Sequence, residues 1–391
     1  MKRCLADTSN LYGYRIKLYP TDEQVKVLDN LISQYRFVYN WTISEMNLYY
    51  EMTGGYMPIN DACQRFRDFR NSHEWLKSLP SNTGRHAIMS VYHSMSMFWK
   101  KVAKFPKFLT KKDSKQYFKI RGERLWFRDD HVSFEGIGGH GKSIKCGNIK
   151  LPFRIESCRF YACTVTFDGY NYWLSFNIEK HAPAEFYSDT GVLGIDVGLR
   201  KLAVLSDGTE YVMPKADWLI KRKKKLQRQL VKDRNRRIKA AKQARAKLDD
   251  IPETKNMLKH KKQLRQVCNK EANIRHTFIH QMTSEIIERA PSAIVMETLN
   301  VKGMLKNKYL AKYISSACLS QVFHQIEYKA KRNPAIKVIR ASRWYPSSQI
   351  CSNCGKMHSP GDREWYKCPY CGFEIDRDLN AAINLSKLAN G

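Results

Sequence analysis

Three carboxylate positions in this sequence combine the right side chain with an uncommon setting. In Gly194-Ile195-Asp196-Val197-Gly198 an acid sits in an apolar run that begins at Val192 and Leu193. This reading places Asp196 mid-strand, where an unpaired carboxylate costs several kcal/mol, and the flanking glycines let another backbone or a ligand approach closely. Ile294-Val295-Met296-Glu297 sets a second acid at the end of an apolar strand. Asp376-Arg377-Asp378-Leu379-Asn380-Ala381-Ala382 sets two more directly before a helix. Taken singly, an acid at a strand end or helix start is ordinarily a cap or a surface group, a reading that suits Asp196 least. Taken together, the three positions point to divalent metal. Mg2+ takes hard oxygen ligands. A pair of ions about 3.5–4 Å apart activates water on one side of a phosphodiester and stabilises the leaving oxygen on the other.

A second constellation is sulfur. Cys351-Ser352-Asn353-Cys354 and Cys368-Pro369-Tyr370-Cys371 are two C-x2-C pairs separated by 13 residues, each followed by a glycine (Gly355, Gly372) that lets the turn fold back. Four thiolates at this spacing close a tetrahedral zinc site with no open position, so the ion expected here is structural. His358 lies nearby, but nothing in the spacing requires it as a ligand. The chain has eleven cysteines, an odd number, and its opening residues lack the apolar stretch of a signal peptide. A reducing, cytoplasmic setting is the expectation, with metal ligation ahead of disulfides. The other seven (Cys4, Cys63, Cys146, Cys158, Cys163, Cys268, Cys318) read as small core residues.

Charge identifies the partner class. Among 391 residues, 68 Lys and Arg face 37 Asp and Glu, a formal charge of +31. So large an imbalance repels itself on compaction and calls for a polyanion. No run of 18 apolar residues is present to span a membrane, which leaves nucleic acid. Residues 221–250 hold 14 Lys or Arg against 3 Asp, enough on one helix to favour phosphate contact over a merely solvated face. Aromatic and basic residues mix at Arg343-Trp344-Tyr345 and Phe105-Pro106-Lys107-Phe108, which would suit base stacking or, equally, core aromatics with snorkelling lysines.

The elements that must position these groups follow from periodicity. Tyr14, Ile16 and Leu18 alternate with Arg15 and Lys17 as a strand; Thr21 and Gln24 then form a capping box for a helix carrying Val25, Leu28, Leu31, Ile32, Tyr35 and Val38. Further helical patterns near 61–75 and 83–102 make 21–104 a helical insert. Residues 118–179 read as short strands with turns, so a barrel-like β module is interrupted by a helical one. Beyond a break at His181-Ala182-Pro183-Ala184 come strands at 192–199, 202–206 and 210–213. Helices are expected at 216–248 and about 256–289, a strand at 293–299, a helix at about 309–332, a strand at 335–341 and a last helix at 380–388. A meander carrying Asp, a later strand carrying Glu and a helix carrying Asp is the layout of an RNase H-like nuclease core.

Four of these segments, Gly194–Leu199, Val295–Met304, Tyr345–Gly355 and Asp376–Asn384, together resemble TnpB, the transposon-encoded, RNA-guided nucleases related to type V CRISPR effectors. Tyr14–Thr21, Arg36–Trp41 and Pro106-Lys107-Phe108 are similar to the N-terminal part of the same family. The resemblance implies an α+β multidomain chain: a wedge domain (1–20 and 105–182) interrupted by a helical recognition domain (21–104), then a RuvC nuclease domain (183–342 and 373–391) with a zinc-ribbon insertion (343–372). It implies Asp196, Glu297 and Asp378 as catalytic residues holding two Mg2+ ions, and Cys351, Cys354, Cys368 and Cys371 holding Zn2+. A guide RNA and double-stranded target DNA are the implied partners, in a prokaryotic, nucleoid-associated setting, with DNA cut beside a short adjacent motif. Thr298 departs from the acid often found after the glutamate but leaves the ligand in place. A non-cutting, RNA-guided repressor and a strand-transferring transposase are the alternatives. The intact acid trio argues against the first, and the ribbon lodged before the third acid argues against the second.

Overall fold

A computed structural model describes residues 11–111, 116–137, 143–147, 160–179, 190–359 and 364–389. The chain divides into two compact units, Met1–His181 and Ala182–Gly391. The expected break at 181–184, the turn glycines Gly138 and Gly139, and Cys4 and Cys158 lie outside the described residues.

The first unit opens with β1 (Leu11–Tyr19) and α1 (Asp22–Thr53). The expected capping box is present: the Thr21 backbone N–H donates to Gln24 Oε1 at 3.0 Å, and Thr21 Oγ1 accepts from the Gln24 backbone. The helix ends where Gly54 takes φ +67°. α2 (Ile59–Ser72) and α3 (Ser81–Trp99) follow, then β2 (Gln116–Lys119), β3 (Leu125–Arg128), β4 (His131–Phe134), β5 (Ile144–Cys146), β6 (Phe160–Phe167) and β7 (Tyr172–Glu179). The strands form one antiparallel sheet in the order β2-β6-β7-β1-β5-β4-β3. It is open: no pairing joins edges β2 and β3 among the described residues. The alternation in β1 sends Ile16 and Leu18 into a core shared with Leu28, Tyr35 and Val38 of α1. On the other face, the Arg15 guanidinium lies 4.3 Å from the Trp173 ring.

The second unit begins with a meander of β8 (Thr190–Asp196), β9 (Ala203–Leu205) and β10 (Glu210–Tyr211). Two long helices, α4 (Asp217–Gln243) and α5 (Lys255–Glu288), lead to β11 (Pro291–Met296). α6 (Val301–Met304), α7 (Ala311–Ala317), α8 (Leu319–Ala330) and β12 (Lys337–Arg340) come next. A hairpin of β13 (Trp365–Lys367) and β14 (Glu374–Asp376) then hands over to α9 (Arg377–Lys387). The sheet order is β10-β9-β8-β11-β12, with β8, β11 and β12 mutually parallel and the meander antiparallel.

Three expectations are corrected. Asp196 closes its strand rather than sitting inside it. The helix expected over 309–332 is broken at Cys318, whose φ of +53° ends α7 and starts α8. The last helix begins at Arg377, because the Asp376 side chain caps it and draws Asp378 into the first turn. On α4, Leu219, Leu226 and Ala241 are buried, and Leu219 and Leu226 pack with Val267 of α5 in a small core of their own.

Candidate active site

Strand parity and register decide which acids meet. Leu193 and Ile195 of β8, and Ile294 and Met296 of β11, point to the sheet face covered by Ile279, Met282 and Ile286 of α5 and Val322 and Ile326 of α8. Val192 and Val295 point to the opposite face, where Leu385 of α9 packs. Side chains alternate along a strand, so Asp196 and Glu297 share that second face. The register pairs Ile195 with Met296, which places the two acids side by side at the C-terminal ends of adjacent parallel strands.

Gly194 brings the third acid. A Cβ there would stand 1.9 Å from the Ala382 carbonyl oxygen and 2.6 Å from the Ser386 nitrogen. The expectation of a close backbone approach is met: α9 lies directly on β8, with Asp378 in its first turn. Its neighbour Asp376 is already engaged. It accepts from the backbone N–H groups of Asp378 and Leu379 at 3.0 and 3.1 Å and pairs with Lys201 at 2.8 Å. Burial opposes ionisation of Asp376, but Lys201 and these N–H groups hold it below the usual carboxylate range. Asp378 contacts Arg377, 3.3 Å from its Nη2.

The electrostatics are those of an under-neutralised cluster. Burial, then the charges of Glu297 and Asp378, drive Asp196 well above the ordinary aspartate range, with Arg377 the one opposing cation. Burial pushes Glu297 up to about 7; the Val197 backbone pulls it the other way and Asp378 adds to the rise. Like charges gathered in a partly desolvated place favour proton uptake or a bound cation. A cleft of about 210 Å³ opens beside Glu297, lined also by Thr298, Asn300, Ser342, Arg343 and Tyr345.

The cysteines converge. Among the described residues, Cys351, Cys354, Cys368 and Cys371 are the only group of three or more His, Cys, Asp or Glu side chains whose ligand atoms all lie within 4.8 Å of one another. The sulfurs of Cys351 and Cys371 are 3.7 Å apart, and those of Cys354 and Cys368 are 3.6 Å apart. A zinc–sulfur distance of about 2.3 Å gives a tetrahedral edge of about 3.8 Å, so the donor set fits that ion. Gly355 and Gly372, at φ +74° and +72°, return N–H groups to the carbonyls of Cys351 and Cys368. His358 is not in the group. The three carboxylates are not gathered as tightly as the sulfurs.

Two buried asparagines, which the sequence reading passed over, join the cysteine loop to α9. Asn380 Nδ2 donates to the Ile350 carbonyl at 2.7 Å, and its Oδ1 accepts from the Ser352 N–H at 2.9 Å. Asn384 Nδ2 donates to the carbonyls of Ser347 and Ile350 at 2.8 and 2.6 Å. Their i, i+4 spacing puts both on one helix face, the signal from which they were legible. Elsewhere in this unit, Lys221, Arg222, Lys225, Lys259 and His260 line a cleft of about 600 Å³ between α4 and α5. Of the two aromatic–basic motifs, Phe105 and Phe108 are exposed and Trp344 is 82% exposed, whereas Tyr345 packs against Val295, Ala341 and Leu385.

Three family models match in chain order: "Helix-turn-helix domain" over 10–55, "Probable transposase" over 175–308 and "Cas12f1-like, TNB domain" over 320–385. Within that first span the described residues form the strand Leu11–Tyr19 and the 32-residue helix Asp22–Thr53. A Streptomyces pristinaespiralis protein named "Putative RNA-guided DNA endonuclease" is 25% identical over 385 residues, covering 95% of this chain and 88% of that protein. Escherichia coli InsQ, described in the same words, is 23% identical over 398 residues, covering 96% and 91%. A solved structure titled "Cryo-EM structure of the Cas12f1-sgRNA-target DNA complex" shares 18% identity at a TM-score of 0.32, covering 96% of this chain and 98% of that one. Along almost its whole length this chain is similar to relatives named putative RNA-guided DNA endonucleases, and its carboxylate, cysteine and asparagine motifs fall within the stretches matched by the probable-transposase and Cas12f1-like models.

Proposed function

We propose that this protein is an RNA-guided DNA endonuclease whose single RuvC site uses Asp196, Glu297 and Asp378. The observation that carries the reading is the shared sheet face: adjacent strand ends present Asp196 and Glu297, and α9, seated on Gly194, presents Asp378. Two Mg2+ ions would supply an activated water and charge stabilisation at the scissile phosphate. Asp196, Glu297 and Asp378 would hold these ions. Asp376 is left out because Lys201 and the helix N-terminus occupy it. Guide RNA supplies sequence by pairing with double-stranded target DNA, and the protein reads a short adjacent motif. A meander joined to two parallel strands supports the RNase H-like assignment of 183–342 and 373–391, with 343–372 as the zinc ribbon. The open sheet supports 1–20 and 105–182 as the wedge, and α1–α3 support 21–104 as the recognition domain. No helix among the described residues is long and apolar enough to cross a membrane, in keeping with a cytoplasmic, nucleoid-associated protein of a prokaryote.

The test is direct. Purified protein with its copurifying RNA, Mg2+ and a matched duplex should cut, and Asp196→Ala should abolish cutting while RNA binding persists. Cutting by that variant removes Asp196 from the mechanism. Guided binding without any nicking by the wild type makes the chain a repressor.

A further inference from the structure

We infer that Trp344 and Arg343 form a stacking platform that seats an unpaired nucleobase of the strand entering the Glu297 cleft. This rests on the nuclease reading and adds a substrate subsite to it. One exposed indole on a surface needs no explanation; four further observations give this one a direction. First, its neighbours Arg343 and Tyr345 line the cleft beside Glu297. Second, the loop that carries it is sewn to the Glu297 segment. The Ala341 N–H donates to the Met296 carbonyl at 2.8 Å, and Thr298 Oγ1 donates to the Ala341 carbonyl at 2.7 Å.

Third, the loop is braced beyond the tryptophan as well. Trp344 N–H donates to Ser342 Oγ at 3.3 Å, and Tyr345 Oη donates to the Asn384 carbonyl at 3.2 Å. An 82%-exposed ring on a fixed backbone is a platform rather than a loose end. Fourth, the charge is right for nucleic acid. The Arg343 guanidinium stands 5.2 Å from the Trp344 ring centroid and makes no ion pair among the described residues. The stretch 298–326, of which Thr298, Leu299, Asn300 and Met304 line the same cleft, contains Lys302, Lys306, Lys308 and Lys312 and no acid. An aromatic face beside unpaired cations is the pairing that holds single-stranded nucleic acid: the ring takes the base and the cations take phosphate. A base still paired in a duplex has both faces covered, so the subsite selects strand that is already open.

The experiment uses full-length protein with its guide RNA and single-stranded target DNA in which one abasic residue is walked across the cut region. Trp344→Ala should raise the half-saturating DNA concentration by about 5- to 100-fold, the equivalent of one lost stacking contact, with guide binding unchanged. Trp344→Phe should recover most of the loss. At one position the abasic residue should penalise the wild type and add nothing in Trp344→Ala. An unchanged half-saturating concentration, or an equal abasic penalty in both proteins, overturns the platform. Cutting by the parallel Asp196→Ala control would instead overturn the nuclease reading beneath it.

Discussion

Replacing Gly194 with alanine puts a methyl group where α9 already stands. The added carbon would lie 1.9 Å from the Ala382 carbonyl oxygen and 2.6 Å from the Ser386 nitrogen, both backbone atoms that no rotamer change can clear. A carbon–oxygen contact relaxes at about 3.3 Å, so α9 must retreat by about 1.4 Å. Ala382 lies one turn from Asp378, and a helix moves as a unit over that length, so the carboxylate is displaced by about 1 Å. A displacement of that size at a reacting centre costs on the order of 100-fold in rate. Overpacking of a tight contact costs ~1–3 kcal/mol, which lowers the melting temperature of a unit this size by roughly 4–8 °C at the middle of that range. Single-turnover cleavage and differential scanning fluorimetry on the same preparation read both effects. Guide binding should persist and the four-cysteine hairpin should keep its metal. Cleavage within a few-fold of wild type, at an unchanged melting temperature, would show that α9 does not set the site.

Three other outcomes follow from the geometry. Asn384→Ala strips the side-chain donor from the buried carbonyl of Ser347 and leaves Ile350 only that of Asn380, at about 1–3 kcal/mol; zinc release to a chelator should quicken and cutting should slow, and unchanged release would refute the clamp. Lys329, buried and bonded to the His280 carbonyl and the Thr283 and Ser284 hydroxyls, is driven down to about 8 by burial, with Arg332 adding to the fall. Because its folded value lies below its unfolded one, the unfolded chain binds more protons between about pH 8 and 10.5, so Lys329 makes stability rise with pH across that window by on the order of 1–3 kcal/mol; Lys329→Met should flatten the melting-temperature profile there. Replacing Lys221, Arg222 and Lys225 with alanine should weaken nucleic-acid binding whatever the sequence and reduce its log–log salt slope by about 2–3; an unchanged slope would place the phosphate contacts elsewhere.

The chemistry was more legible in the sequence than its supports were. Spacing alone gathered the four cysteines, and apolar runs marked Asp196 and Glu297; the face they share needed the strand pairing. What it left out was contact across the fold. Gly194 was flagged as permissive, but only the helix lying on it shows what the permission is for. Asp376 and Asp378 are equivalent in a string of letters; capping and Lys201 separate them, and both depend on where α9 starts. The break at Cys318 was unreadable because helical propensity runs through it, whereas its left-handed backbone marks the junction of α7 and α8. Trp344 was balanced between core and surface until its exposure was known.

The excursion made by α4 and α5 has its own consequence. Between Tyr211 and Pro291 the chain departs from the sheet, builds a private hydrophobic seam from Leu219, Leu226 and Val267, and returns to the strand that ends beside Glu297. Lengthening or trimming its far turn, around Lys247 to Thr254, alters closure entropy only by tenths of a kcal/mol. The basic cleft proposed to grip polyanions can therefore be retuned, by selection or by engineering, while the acids proposed to cut stay where the sheet holds them.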